Sequence, residues 1–116
     1  MPTTLVAGIA SASVTSSAEV DLLGINGAAA SSSGIGLRGA ESLVIVVNTT
    51  QNVTVNVYVA AGSNAGLSLG YTGTATSSAP YVLTIPVVAF NMIRATAKAA
   101  STTATVNCDL RAIGPA

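Results

Sequence analysis

The sequence has no histidine, no tryptophan, one cysteine and four aromatic residues in 116 positions. Charged residues make up 7% of it, four basic and four acidic, so the net charge is zero. Each shortage excludes something. With no basic excess there is nothing to neutralise a phosphate backbone, and no nucleic-acid partner is expected. Without histidine, and with one cysteine, the usual zinc sites cannot be built in one chain. The common agent of proton transfer is missing as well. One cysteine cannot close an internal disulfide. The longest strongly aliphatic block, Leu43–Val47, falls far short of the ~18 residues of a membrane helix, so no membrane partner is expected either. The first residues carry no Lys or Arg before Arg38 and no compact apolar stretch with a cleavage site, which is not the pattern of a secretory signal. That start predicts a protein made and left in the cytoplasm.

What is present is small and β-prone. Ala, Ser and Thr together supply 48 of the 116 residues. Leu, Ile, Val and Phe supply 31, enough for a lean core. Val53-Thr-Val-Asn-Val-Tyr-Val-Ala60 alternates strictly, which predicts a half-buried strand with Val53, Val55, Val57 and Val59 inward and Tyr58 outward. Glu41–Val47 reads as a strand covered on both faces, joined to the next through Asn48–Asn52 as a hairpin. Short strands follow at Leu67–Tyr71 and Tyr81–Ile85, separated by a polar loop from Gly73 to Pro80. Val87–Asn91 is a corner with Phe90 as its plug. Met92–Ala99 places Ile93, Ala95, Ala97 and Ala99 inward and Met92, Arg94, Thr96 and Lys98 outward. A turn at Ala100–Thr102 returns the chain as Thr103–Ile113, with Cys108 inward and Asp109 and Arg111 outward.

The first part is less patterned. Thr4–Ala12 and Val14–Leu23 are strands, the second bending at Ser16-Ser17, and residues 25–36 form a Gly-, Ala- and Ser-rich loop. About eight strands at regular spacing, with no helix of ten residues, predict an all-β chain: a single antiparallel β-sandwich or jelly roll. Residues 1–13 form an N-terminal arm or edge strand and residues 14–116 the sandwich domain.

Nothing in the chain assembles into a catalytic set, and no cofactor or metal site is expected. Glu19 and Asp21 stand two apart on one strand face, the spacing of a solvated edge rather than of a glycosidase pair or a calcium cage. Cys108 reads as a small buried hydrophobe. Asn48-Thr-Thr50 and Asn52-Val-Thr54 match the glycosylation sequon but read as turn and strand residues. Arg94, Lys98 and Arg111, with Asp109, are expected to form one charged patch on neighbouring strands. Tyr58, Met92, Arg94, Lys98 and Arg111 are the candidate interface residues.

So few charges leave a soluble monomer without the usual protection against association, which suggests a surface covered in an assembly. Leu43–Asn48, Val53–Val59, Tyr81–Pro86, Met92–Lys98 and Ala104–Leu110 resemble the strands of small β-sandwich virion proteins of tailed bacteriophages. These are head decoration (cement) proteins and neck or tail accessory proteins. The resemblance spans roughly residues 41–113 and is one of strand pattern, with no diagnostic motif. It implies a non-enzymatic structural protein, assembled in the host cytoplasm and located in the virion. It also implies partnership with its own copies, a trimer first, and with other virion proteins such as the major capsid protein. The competing reading is a carbohydrate- or receptor-binding module, for which Tyr58, Tyr71 and Tyr81 are the only aromatic candidates.

Overall fold

The computed structural model describes residues 4–9, 11–24, 34–37, 39–60 and 67–114. The chain is all-β, with no helix among the described residues. The described residues form ten strand segments: β1 (Thr4–Ala7), β2 (Ala12–Val14), β3 (Val20–Asp21), β4 (Ile35–Gly36), β5 (Ser42–Thr49), β6 (Val53–Ala60), β7 (Ser68–Ala75), β8 (Tyr81–Ile85), β9 (Met92–Ala99) and β10 (Ala104–Ile113). They form two antiparallel sheets. The first runs β1-β10-β5-β8, with β2 also on β10; the second runs β3-β9-β6-β7, with β4 also on β9.

Alternation dictates the inward faces. β10 alternates buried and exposed without a break, Ala104, Val106, Cys108, Leu110 and Ala112 pointing inward. Val53, Val55 and Val57 of β6 and Ile93, Ala95, Ala97 and Ala99 of β9 do the same from the second sheet, and Leu43, Ile45 and Val47 of β5 from the first. All of these belong to one apolar cluster, which Leu22, Leu23, Ile35 and Leu37 extend, with Phe90 half-buried against it. The many inward alanines and valines leave the few Leu and Ile side chains as its bulk.

Four sequence expectations are corrected. First, β5 and β6 do not pair as a hairpin, and neither do β9 and β10; each of these links passes from one sheet to the other. Alternation shows which face of a strand is buried but not which strand lies beside it, and two strands in opposed sheets satisfy the same pattern. The crossovers are tied together at one end of the molecule, where Thr50 N–H donates to the Thr105 carbonyl and Ala100 N–H to that of Asn52. Second, β5 is not covered on both faces: Val44 is exposed and Val46 half-buried. Third, β7 continues through Gly73 to Ala75, pairing with Val53–Val55, where a loop was expected. Gly73 permits this, because a Cβ there would lie 2.1 Å from the Tyr81 ring, which packs across from β8. Fourth, the bend expected at Ser16-Ser17 is a full passage from the first sheet to the second, since β2 pairs with β10 and β3 with β9. Most of the loop expected over residues 25–36 lies outside the described residues, and its last two residues are β4.

Candidate functional site

The densest polar arrangement lies on the outward face of the second sheet. Antiparallel register sets Tyr58 beside Arg94, Asn56 beside Thr96 and Thr54 beside Lys98. β7 adds Thr72 opposite Asn56, and β3 lays Asp21 opposite Thr96. Glu19, just before β3, then reaches over the sheet. Its Oε1 accepts from Thr96 Oγ1 at 2.6 Å, Tyr58 Oη at 2.7 Å and Asn56 Nδ2 at 3.0 Å. Asn56 Oδ1 in turn accepts from Thr72 Oγ1 at 2.9 Å. Arg94 Nε donates to Asp21 Oδ1 at 2.5 Å, and its guanidinium sits 5.3 Å from the centre of the Tyr58 ring. Thr96 is fully buried although it points outward, because this network covers it.

The electrostatics follow from the contacts. The Thr96 hydrogen bond, then those of Tyr58 and Asn56, hold the Glu19 carboxyl below the ordinary carboxylate range. The same Glu19 contact raises the Tyr58 phenol, and Asp21 raises the Arg94 guanidinium. A carboxyl whose pKa is depressed by folding adds stability above the ordinary carboxylate range, and that stability is lost as pH falls through the folded value. Glu19→Ala is therefore expected to cost about 1 kcal/mol at neutral pH, the net worth of the hydrogen bonds the carboxylate accepts once water replaces it over Thr96. In urea titrations the gap to wild type should close as pH drops below that range; a gap independent of pH would contradict the assignment.

Of the residues singled out from sequence, Tyr58 and Arg94 come together, joined by Glu19 and Asp21. Lys98 lies on the same face but farther along, opposite Thr54, and Met92 is half-buried opposite Ala60 and Gly36. Arg111 does not join them. It belongs to the first sheet, where its Nε lies 3.3 Å from Asp109 Oδ2. The single charged patch expected from sequence is thus two separate sites on opposite sides of the molecule, because β9 and β10 are not neighbours. Sequence reasoning missed Asn56, Thr72 and Thr96. Their only signal was a polar residue at an outward strand position, which carries no address.

The network works as a clamp. It fastens the passage from β2 to β3 onto the second sheet and leaves little free for a ligand. Tyr58 carries Arg94 over its ring and gives its hydroxyl to Glu19. Cys108 is buried and its thiol is pushed up to about 12, chiefly by desolvation, so it is not a nucleophile at neutral pH.

The outward face of the first sheet differs in kind. Among the described residues the large apolar side chains left exposed are Val6, Val44, Leu69, Val82, Val87 and Ile113, and four of these six lie on this one face. Val6 and Val44 flank Arg111 on either side in register, and Val46 and Val82 continue the row of Asp109. A shallow groove of about 510 Å³ lies at the end of the fold beside β8, lined by Glu41, Pro86, Val87, Val88 and Phe90 among others. No helix among the described residues is long and apolar enough to cross a membrane. No protein-family model, curated protein or solved structure matches this chain, so its functional reading rests on its own geometry.

Proposed function

We propose that this chain is a non-enzymatic structural subunit of a virus particle, a capsid decoration or cement protein of a tailed bacteriophage that packs as a symmetric homo-oligomer. Its place is then the virion, with the major capsid protein among its partners. The strand order supports a jelly-roll sandwich. β1 and β2 lie in line on β10, their registers offset by one residue, and β3 and β4 both lie on β9. Taken as two interrupted strands, they reduce ten segments to the eight positions of a jelly roll, an architecture shared by viral capsid and lectin domains. Fold alone does not decide function. The observation that carries the reading is the exposed aliphatic face of the first sheet on a chain with 7% charge. Such a face marks a protein contact. The covered ring of Tyr58 weakens the carbohydrate-binding alternative, which needs an open aromatic face.

Two measurements test this. Sedimentation velocity of the purified chain at tens of micromolar is expected to show a defined oligomer, and a well-behaved monomer would overturn self-assembly. Mass spectrometry and cryo-EM of particles from the producing system are expected to find the chain in many symmetric copies. Its absence from the particle would overturn the virion assignment.

A further inference from the structure

We propose that the outward face of the first sheet is a two-fold contact between copies of this chain, in which Arg111 of each copy pairs with Asp109 of the other. The inference rests on the reading of the chain as a self-assembling subunit and adds to it the surface and the symmetry. Among the described residues, Asp109 and Arg111 are the only charged ones in the strands of this sheet. They touch within one copy, yet their side chains are 50% and 67% exposed. A pair so exposed adds little to the stability of the fold. Its position is what matters, since it sits inside an aliphatic surround.

The register defines two adjacent rows across the sheet. One reads Val6, Arg111, Val44, Thr84; the other holds Asp109, Val46 and Val82. Gly8 lies against the backbone at the start of the second row, since a Cβ on it would come within 3.2 Å of Asp109 Cα. A two-fold axis in the plane of contact, across the strands at the level of Leu110, lays one row over the other. Arg111 then meets the second copy's Asp109, and Val44 meets Val46. Val6 faces Gly8, so a large side chain faces none. A two-fold axis along the strands would instead set Asp109 over Asp109 and Arg111 over Arg111. Opposite charge therefore selects one arrangement and penalises the other, while the valines supply the desolvated area. The face is complementary to itself, which is why a second copy is the occupant.

The test uses sedimentation equilibrium of the full chain across the micromolar range, with Arg111→Asp, Asp109→Arg and the double exchange D109R/R111D. Each single variant sets like charges against each other across the contact and is expected to weaken association by about tenfold or more. The double exchange restores opposite charges and is expected to return association to near the wild-type level. That rescue also separates a lost contact from a lost fold, as does thermal melting of each variant. A wild-type oligomer unaffected by the single changes would overturn the contact and leave self-assembly standing. A wild-type monomer throughout would overturn both. Single variants that assemble normally but no longer join particles would assign the face to another virion protein and overturn the proposal.

Discussion

Ile45→Ala is expected to lower the unfolding free energy by about 2–5 kcal/mol, measured by urea or guanidinium titration. Ile45 is fully buried at the middle of β5, the strand held between β10 and β8. Register sets Leu110 on one side of it and Leu83 on the other. Much of the remaining interior is alanine and valine, so few large neighbours can swing into the space a lost side chain leaves. Paired backbone on both sides keeps the strand from collapsing inward. A domain of this size has roughly 5–15 kcal/mol of stability in all, so this one change removes a large share of it. Val44→Ala, one residue along and outward, is the control. It is expected to change the stability of an isolated copy by no more than about 0.5 kcal/mol. Equal costs at the two positions would mean that the inward and outward faces of β5 are wrongly assigned.

Gly8→Ala is the second large effect, expected at about 3 kcal/mol, the upper end for overpacking. A Cβ at this position would lie 2.2 Å from the Cys108 carbonyl oxygen and 3.0 Å from its carbon. Both are backbone atoms of the central strand of the first sheet and cannot turn aside as a side chain can. Next to this contact, Cys108 N–H donates to the Ile9 carbonyl at 2.9 Å, so the junction of β1 and β2 is held tightly against β10. Gly39 offers the comparison. It has a positive φ of 75°, but a Cβ there meets nothing within 4 Å. Its alanine variant pays only the conformational cost of that backbone, about 1 kcal/mol. Melting curves of the two variants should therefore separate clearly, and a Gly8→Ala variant no worse than Gly39→Ala would refute the close approach.

The parts of the fold that sequence made legible are those that depend on period. The inward sets of β9 and β10, and of β6 as far as Val57, follow directly from alternation, down to Cys108 on the buried side; at the end of β6 it breaks, with Val59 half-buried and Ala60, which the strict alternation places outward, buried. Neighbour relations were not legible, since a valine at every second position is compatible with a partner beside it or a sheet opposite it. The turn at Thr50–Asn52 looked like a hairpin because it is short and polar, yet a short turn also serves to carry the chain across the core. The site divides in the same way. That Glu19 and Asp21 share a face was visible from their spacing. That Glu19 closes over Thr96, 77 residues away in sequence, was not. Long-range hydrogen bonds leave no local pattern, and the separation of Arg111 from Arg94 depended on the sheet order that alternation could not supply.

The position of β10 decides when the first sheet can be completed. It is the last strand in the sequence order and the inner strand that joins β1 and β2 to β5. Until it is made, the earlier strands of its sheet have no common partner, and neither Asp109 nor Arg111 exists. During synthesis, then, the growing chain lacks the finished outward face of the first sheet. If the proposed contact holds, the capacity of one copy to bind another arrives only with the completed sheet, and a chain caught midway lacks it.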